Sequence, residues 1–285
     1  DRYEGLRRRL SEVRSARIKP GIDHKCLTSW NAMLVSGWCE VYLATGNDAY
    51  RKRAIDLITA IRKYLIDDSG KICHQRTSGV LSAQGYADDY AFFISALIAL
   101  GRAGCGDEFY LEAERYTGEM MNRYFDQSSG FFRLSPSDEE SLLFTSKTEV
   151  SDNVIPSVNS EMCINLLLLS RISERPEWEE LAAGMLGTIL PSVDFASGYT
   201  NWLRAYVYFS CGIAEVVCVG SEFRSAYKEL RSMNRQDILV LYSTGESELP
   251  VVKGKSGKDH GIYVCRNKTC FPPVTDITEA ITLLA

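Results

Sequence analysis

EVSDNVIPSVNS, residues 149–160, decides how the middle of the chain folds, because it closes a long loop and opens the chain's most apolar helix. Pro156 disfavours helix at Ile155 and fits a helix start, so Ser157 is a good N-cap, with Ser160 or Glu161 able to return the hydrogen bond. Residues 162–169 are almost wholly hydrophobic, and we expect this helix to be buried on most sides. A polar cluster at its mouth either ties a loop to the core or lines a cleft; it comprises Glu149, Asp152, Asn153, Ser157, Asn159 and Ser160.

Composition and charge are those of an ordinary globular protein. The chain has 285 residues, 45% hydrophobic and 24% charged, which is enough for one large domain or two modest ones. The net charge of −5 gives no electrostatic case for nucleic acid or an anionic membrane. The basic run at residues 7–9 is interpreted as a solvated helix face. No apolar run reaches the length of a membrane span, and the first residues are charged rather than signal-like, so we expect no membrane partner.

The nine cysteines favour free thiols over a disulfide scaffold. Their number is odd, there is no CxxC pair, and several lie in apolar helix or strand patterns, where a thiol packs as a small hydrophobe; these are Cys39, Cys163, Cys211 and Cys218. Cys265 and Cys270 are interpreted as packed thiols, with a redox pair or half of a metal site as the alternatives. A reducing, cytoplasmic location is predicted.

Three segments of the chain repeat one helical pattern, at residues 30–66, 88–125 and 160–190. In each, an apolar helix precedes an amphipathic one. An aromatic residue opens the second helix at Tyr50, Tyr110 and Trp178, spaced 60 and 68 residues apart. An alanine small enough for close helix contact follows within one turn, at Ala54, Ala113 and Ala182. The pattern predicts helical hairpins stacked side by side, with the first helix buried and the second facing water.

The two ends of the chain complete the predicted architecture. Lone helices are expected over residues 2–17 and 201–212, and the eight helices of this part fall short of a closed ring of six hairpins. Strand patterns then appear at residues 214–219, 238–242 and 262–265, with helices at 222–233 and 276–284. The predicted fold is mainly α: an incomplete helical-hairpin (α/α) toroid over residues 1–212, followed by a small α/β module over residues 213–285.

Long loops join each outer helix to the next inner helix, so they collect at one end of the stack. The first, residues 67–85, contains an extended run at 71–75. The second, residues 127–156, suggests a β-ribbon between 130–134 and 142–145 around Pro136. Loops of this size inside a compact domain are usually functional, and we expect a binding cleft at this end.

Four ordered motifs carry a resemblance to a known family. They are DHKCLTSWN at 23–31, DDYA at 88–91, the stretch 151–160, and YVC at 263–265 with Cys270. In this order and spacing they resemble the C-terminal part of the thioredoxin-domain-containing protein family that includes spermatogenesis-associated protein 20. The resemblance covers nearly the whole chain. It implies a helical region similar to six-hairpin glycosidases and N-acylglucosamine 2-epimerases.

Two departures from the family pattern affect what can be carried over. The family usually has a second aspartate where this chain has His24, and glycine or serine where it has Val158. The resemblance also places a thioredoxin-like domain and the first hairpins before residue 1. Redox chemistry of the family is therefore not assigned to this chain.

The first motif suggests a sugar site. Asp23 and Lys25 precede the helix that holds Trp30 and Asn31, where polar groups could bind hydroxyls while the indole stacks on the apolar face of a sugar ring. The alternative is a plain helix N-terminus, with Thr28 or Ser29 as the cap and the indole in the core.

The second motif, Asp88-Asp89-Tyr90, opens an inner helix. Two carboxylates there are stabilised by the helix dipole, which is the structural interpretation. The functional one is that one aspartate acts as a general acid or base. Adjacent helical residues point about 100° apart, so we expect only one of Asp88 and Asp89 to face a substrate.

The candidate site therefore draws on all of these stretches and on Asn201-Trp202, which repeats the Trp30-Asn31 theme in reverse. Catalytic candidates are Asp23, Asp88, Asp89 and Asp152; binding candidates are Lys25, Trp30, Asn31, Tyr90, Asn153, Ser157, Asn159, Asn201 and Trp202. We expect Asp23, Lys25, Trp30, Asp88, Asp89, Asp152, Asn159 and Trp202 to converge at one end of the stack. Asp152 should accept backbone hydrogen bonds, so its loss should cost about 1–3 kcal/mol.

The sequence contains no motif for a serine nucleophile, a metal site or histidine-based epimerisation. There is no GxSxG elbow for a serine nucleophile, and His24, His74 and His260 show no ligand spacing, so neither a metal nor another cofactor is expected. The epimerases that the family resembles use paired histidines, and no motif here matches those pairs. We therefore predict a carbohydrate-active or sugar-binding module, with a non-catalytic scaffold for a thioredoxin-like domain as the alternative.

The incomplete ring also predicts uncovered apolar flanks. These would lie on the first helix, at Leu6, Leu10 and Val13, and on the last, at Leu203, Tyr206, Val207 and Phe209. Exposed apolar faces usually meet a partner. We expect the α/β module to cover the last helix, and a second copy or a thioredoxin-like domain to cover the first.

Overall fold

A computed structural model of the chain describes residues 2–82, 84–136, 147–244, 247–253, 255, 260–266 and 269–284. In its first three quarters these residues form a series of helices, as predicted. They are α1 Arg2–Ser15, α2 Thr28–Thr45, α3 Asp48–Tyr64, α4 Ala87–Arg102, α5 Glu108–Tyr124, α6 Val158–Ile172, α7 Pro176–Ile189 and α8 Thr200–Cys211. No helix in the described part of the chain is both long and apolar enough to cross a membrane.

Three helical hairpins, α2/α3, α4/α5 and α6/α7, form the stack. The inner helices α2, α4, α6 and α8 pack on one another in that order. Nearly every residue of α4 and α6 is buried, whereas α3 buries only Ala54, Ile58 and Ile61. The apolar and amphipathic sequence patterns account for this difference, and the predicted helical-hairpin toroid is confirmed.

Small residues allow the helices of a hairpin to approach closely. Ala54, Ala113 and Ala182 are all completely buried. At Gly101 an added Cβ would lie 2.4 Å from Cζ of Tyr110, so only glycine lets α4 meet α5 here.

The start of α6 is capped as the sequence predicts. The Ser157 side chain accepts a hydrogen bond from the Ser160 backbone N–H at 3.1 Å. This satisfies one of the free N–H groups at the helix start and fixes where the preceding loop ends.

The long loops carry short strands at the N-terminal end of the inner helices. β1 Cys26–Leu27, β2 Gln75–Thr77 and β3 Val80–Leu81 form one antiparallel sheet. β4 Phe125–Asp126 pairs with β5 Phe131–Phe132. The predicted ribbon partner of this last strand, residues 142–145, lies outside the described residues.

The C-terminal part is an α/β module with a mixed sheet. Its elements are β6 Ala214–Val219, α9 Arg224–Ser232, β7 Ile238–Ser243, α10 Pro250–Lys253, β8 Gly261–Arg266, β9 Thr269–Cys270 and α11 Ile277–Leu283. The strand order is β7-β6-β8-β9, with β6 and β7 parallel. Alternate residues of β6 serve two cores: Val216 and Cys218 face the core of the module, while Val217 and Val219 join the core of the toroid.

The module lies against the C-terminal ends of the inner helices, and this corrects one prediction. Arg231 donates from Nη1 to the carbonyl of Ala103 at 2.7 Å and from Nη2 to the hydroxyl of Tyr42 at 2.8 Å. The flank of α8 formed by Tyr206 and Val207 stays 48% and 53% exposed. The expectation that the module covers this flank was wrong, because its sheet packs on the helix ends instead.

The first helix forms where predicted but buries none of its residues. Leu6, Leu10 and Val13 are 51%, 71% and 61% exposed. This apolar stripe is therefore uncovered within the described part of the chain.

Cys265 and Cys270 are joined by a disulfide. They stand directly opposite each other on β8 and β9, which brings their side chains to the same side of the ladder. The interpretation of packed thiols was therefore wrong. The other seven cysteines are free, including Cys39, Cys163 and Cys218 in the core.

Candidate functional site

A polar cluster joins the N-terminal ends of α2 and α4. It consists of His74, Asp88 and Asp89, whose ligand-type atoms all lie within 4.8 Å of one another. The small sheet positions the histidine, because the Thr28 backbone N–H donates to the His74 carbonyl at 2.9 Å. A loop residue is thereby placed against two helix starts.

Asp89 ties this cluster together. The residue is completely buried, and its Oδ1 accepts the backbone N–H of Ser29 at 3.0 Å. Its Oδ2 accepts the backbone N–H of Tyr86 at 2.9 Å and lies 2.8 Å from Nδ1 of His74. The carboxylate therefore caps its own helix and holds the start of α2 and the histidine loop in place.

His74 lies half-buried at the edge of the cluster. Its hydrogen bond to Asp89 raises the pKa of the imidazole. Its ring contacts the ring of Tyr86 edge to face, with centroids 4.9 Å apart. The half-buried imidazole can therefore carry a proton at a pH where an ordinary histidine begins to lose it.

Asp88 differs from its neighbour in its surroundings. Its Oδ1 is buried and has no hydrogen-bond partner among the described residues. Burial, and then the negative charge of Asp89, raise the pKa of the Asp88 carboxyl to about 6. A carboxyl of this kind can accept or donate a proton near neutral pH.

The same three residues resemble a metal-ligand set, which their sequence spacing did not indicate. Two of the donor atoms, Nδ1 of His74 and Oδ2 of Asp89, already face each other at hydrogen-bond distance. A metal ion bound to these two atoms would have to replace that hydrogen bond. The arrangement therefore fits proton transfer better than metal binding.

The first sequence motif lies beside this cluster. Lys25 Nζ contacts Asp23 Oδ2 at 3.2 Å on the surface, and this hydrogen bond lowers the pKa of the Asp23 carboxyl. Trp30 directly follows Ser29 and is 62% exposed, so it is not a core residue. Asn31 donates from Nδ2 to the Leu27 carbonyl at 2.7 Å. Only the tryptophan presents a large free surface to a ligand.

A second cluster joins the N-terminal ends of α6 and α8 around Asp152. Its Oδ1 accepts the Ser157 backbone N–H at 2.9 Å and the Ser160 hydroxyl at 2.7 Å. Its Oδ2 accepts the Asn201 backbone N–H at 2.7 Å. The expectation that this carboxylate accepts backbone hydrogen bonds is confirmed.

Neighbouring candidates tie the same loop to the core. Asn159, completely buried, binds the N–H and carbonyl of Phe132 at 2.7 and 3.0 Å and the Glu149 carbonyl at 2.8 Å. Trp202, also buried, donates to the Val150 carbonyl at 2.6 Å. Of the two interpretations of this stretch, these contacts favour the loop anchor.

The remaining binding candidates have different surroundings. Tyr90 is completely buried, and its hydroxyl donates to Glu119 Oε1 at 2.6 Å and accepts from Arg123 Nη1 at 2.9 Å. Asn153 is exposed. The candidates at the N-terminal ends of the inner helices thus form two hydrogen-bonded groups, one at α2 and α4 and the other at α6 and α8.

A cavity of about 320 Å³ lies between the inner helices, on the side of these clusters toward the C-terminal ends of α2 and α4. Each helix contributes polar side chains to it: Glu40 from α2, Ser95 and Arg102 from α4, Glu161 and Asn165 from α6, and Arg204 from α8. Glu161 receives hydrogen bonds from the Ser95 hydroxyl and from Asn201 Nδ2, the latter at 2.9 Å. We call this cavity the lumen.

Sequence reasoning missed His74, Glu161 and the other lumen residues. A signal for the lumen was present in α4, because Asp88, Ser95 and Arg102 recur every seven residues and so share one helix face. The histidine gave no such signal, since a loop fold brings it to the site.

Comparisons with known proteins support the resemblance and the fold. No family model matches the chain. It is 29% identical over 300 residues to an uncharacterized protein of Caenorhabditis elegans and 23% identical over 298 residues to human spermatogenesis-associated protein 20. The matches cover 95% and 97% of this chain but only 39% and 38% of those proteins. The chain thus spans well under half the length of the relatives it matches.

Two solved structures share the helical fold. One is an α-mannanase of glycoside hydrolase family 76 from Bacteroides thetaiotaomicron, with a TM-score of 0.53 and 15% identity over 68% of this chain and 54% of that one. The other is a cellobiose 2-epimerase from Bacillus thermoamylovorans, with a TM-score of 0.50 and 13% identity over 75% of this chain and 58% of that one. At these identities the likeness establishes the α/α-toroid fold alone.

Proposed function

We propose that this chain binds a saccharide at the N-terminal ends of α2 and α4 and that Asp88 transfers the proton in a glycoside hydrolysis. The observation that carries the proposal is the Asp88 carboxyl, with one oxygen buried and unpartnered among the described residues and a pKa raised to about 6. A general acid needs such a pKa to be protonated before reaction and to ionise during it. The two solved structures that share the fold are named for action on sugars, which supports a sugar as the ligand.

Some of the surrounding residues would bind the sugar, and others hold the binding residues in position. Trp30 offers an exposed indole on which the apolar face of a sugar ring can stack. His74 would contact the bound sugar, while Asp89 holds the imidazole in position. Asp23 and Lys25 lie on the neighbouring loop, where they can bind sugar hydroxyls.

Glu161 supplies a second carboxylate. It is hydrogen-bonded to Ser95, which lies seven residues after Asp88 on the same face of α4. Seven residues of helix rise about 10 Å, so the two carboxyl groups are on the order of 10 Å apart. That separation is closer to the spacing of inverting glycosidases than to the shorter spacing of retaining ones, and it leaves room for a water.

The test is a panel of mono- and disaccharides, with binding followed by thermal shift and hydrolysis by release of reducing sugar. Trp30→Ala should weaken binding about tenfold, because the stacking surface is lost. Asp88→Asn should keep binding but lower turnover at least about 100-fold, since the amide cannot transfer the proton.

Matched variants make this test interpretable. Tyr3→Ala removes another exposed aromatic residue, and Asp56→Asn another carboxyl; both should behave as wild type. Because the folded-state pKa of Asp88 exceeds its ordinary value of 3.8, wild type loses stability as the pH rises from about 4 through about 6. Asp88→Asn lacks that loss, so it should melt no lower than wild type at pH 7. Unchanged turnover in Asp88→Asn would refute its role, and absence of binding by every saccharide would refute the site.

The alternative function is a scaffold that docks a thioredoxin-like domain or a second copy. The observation in its favour is the uncovered apolar surface of α1, at Leu6, Leu10 and Val13. Exposed stripes of this kind favour association.

Sedimentation velocity tests the association directly. We expect the weight-average sedimentation coefficient to rise with concentration, and Leu6→Ser with Leu10→Ser to abolish most of that rise. The same pair of changes at exposed polar positions of α1, Arg7→Ser with Glu12→Ser, is the control. A sedimentation coefficient that stays at the monomer value at every concentration would contradict association through the apolar stripe of α1.

The proposal also includes a domain boundary near residue 212 and a cytoplasmic location for the protein. The change from helical hairpins to a mixed sheet supports a boundary there. We propose a reducing, cytoplasmic location, which the seven free cysteines support and the Cys265–Cys270 disulfide opposes.

A further inference from the structure

A second cavity, of about 480 Å³, lies at the opposite end of the inner helices from Asp88. Its walls come from the start of α3, the turn between α4 and α5, helix α9 and strand β7. Neither the proposed hydrolysis nor the sequence motifs use it. We propose that this cavity binds a small organic phosphate, with the phosphate group on the basic face of α9.

The cavity is lined by more cations than carboxylates. Arg224, Lys228 and Arg231 recur on α9 at spacings of four and three residues and so share one face. Arg224 and Lys228 are exposed, and neither has an ion-pair or hydrogen-bond partner in the part of the chain that the structure describes. Such a concentration of positive charge is unusual in a chain of net charge −5.

Arg231 is fixed in place without being neutralised. Its guanidinium donates to the Ala103 carbonyl and to the hydroxyls of Tyr42 and Tyr227, at 2.7, 2.8 and 3.1 Å. All of these acceptors are neutral. Its positive charge therefore remains available to an anion, while its position is set in advance of binding.

The carboxylates that line the cavity are already engaged. Asp48 pairs with Arg51 through Oδ1 at 2.9 Å. Asp107 accepts the Ser247 hydroxyl at 2.8 Å, and burial raises the pKa of its carboxyl. Asp48 is neutralised by Arg51, so the three cations of α9 face one carboxylate without an ion-pair partner among the described residues, that of Asp107.

The turn between α4 and α5 lets Arg231 pack close to the backbone at the edge of the cavity. Gly104 has φ +68, and an added Cβ would lie 2.0 Å from Nη1 of Arg231. Glycine is therefore needed both for the backbone conformation and for the close approach of the arginine. Gly101, Gly106 and Asp107 also line this wall of the cavity.

Aromatic rings form the remaining walls. Tyr227 and Tyr242 are stacked with centroids 5.3 Å apart, and Tyr42 lies beneath Arg231. A volume of about 480 Å³ is within the usual range of small-molecule sites. Clustered arginine and lysine with tyrosine walls suit a phosphate joined to a ring, as in a sugar phosphate or a nucleotide.

The test uses isothermal titration at low salt with three probes: inorganic phosphate, glucose 6-phosphate and ADP. We expect at least one organic phosphate to bind, with an affinity that falls as salt is added. Arg224→Ala with Lys228→Ala should weaken that binding about tenfold or more, since two unpaired cations are lost. These side chains are exposed, so the variant should fold normally.

Matched variants show whether a loss of phosphate affinity comes from this site, from the net charge of the protein or from the proposed hydrolytic site. Lys52→Ala with Lys253→Ala removes two exposed cations outside the cavity and should change affinity less than about twofold. Asp88→Asn should leave phosphate binding unchanged, so failure of one site is distinguishable from failure of the other. Equal affinity in the α9 variant and wild type, or no binding of any probe, would overturn the proposal.

Discussion

Replacing Asp89 by alanine is expected to lower the free energy of unfolding by about 3–5 kcal/mol, measured by urea denaturation at neutral pH. The carboxylate is completely buried and serves three donors on different segments, namely Ser29, Tyr86 and His74. Its removal takes this acceptor away from the buried backbone N–H of Ser29, from the backbone N–H of Tyr86 and from the imidazole. The starts of α2 and α4 should loosen together.

The loss should also depend on pH. The hydrogen bond to Asp89 raises the folded-state pKa of His74 above its ordinary value of 6.5. A raised histidine pKa contributes stability that is fully present below the ordinary value and is lost as the pH rises through the folded value. The difference in free energy of unfolding between wild type and Asp89→Ala should therefore be larger at pH 5.5–6 than at pH 9.

Asp56→Ala is the control for Asp89→Ala, because it removes an exposed carboxylate from a helix. It should stay within about 0.5 kcal/mol of wild type. If Asp89→Ala unfolds at the same urea concentration as this control, the cluster does not hold the two helix starts together.

Replacing Asp152 by alanine should cost about 3 kcal/mol, the upper end of the range expected for lost buried hydrogen bonds. Its carboxylate serves the backbone N–H groups of Ser157 and Asn201 and the hydroxyl of Ser160, and so joins a loop to α6 and α8. Hydrogen exchange should show faster exchange at the amides of Ser157 and Asn201.

Asn153→Ala provides the neighbouring control, because that side chain is exposed. Its stability should change by less than about 0.5 kcal/mol. An Asp152→Ala protein with wild-type stability and wild-type amide protection would show that the loop is held by other contacts, such as those of Asn159.

The sequence indicated where to place the candidate site but did not distinguish the surroundings of its residues. Asp88 and Asp89 were identified together because two acids open an apolar helix. One carboxyl oxygen of Asp88 has no partner among the described residues, whereas Asp89 is a buried anchor. This difference depends on what surrounds each residue, because adjacent residues of a helix face different neighbours. His74 was dismissed because histidine spacing in sequence says nothing about distance across a loop.

Other features that the sequence did not reveal have the same physical origin. Trp202 was a binding candidate, but its indole is buried and donates to the Val150 carbonyl; Trp30, which had a core alternative, is exposed. Both are large aromatic residues near a helix start, and only packing distinguishes them. Cys265 and Cys270 are joined because strand register places them opposite each other, a relation that a spacing of five residues does not reveal.

By itself, the sequence determined the helical hairpins, their inner and outer helices and the cap of α6, because periodicity, small residues and capping act over a few neighbouring positions. The tertiary structure decided everything that requires two distant segments to meet. It placed His74 against Asp89, joined Glu161 of α6 to Ser95 of α4 at the lumen, and laid the sheet of the α/β module across the helix ends rather than along α8. The reason is that these arrangements arise from burial and hydrogen bonding between segments, and neither is encoded in the spacing of residues along one of them.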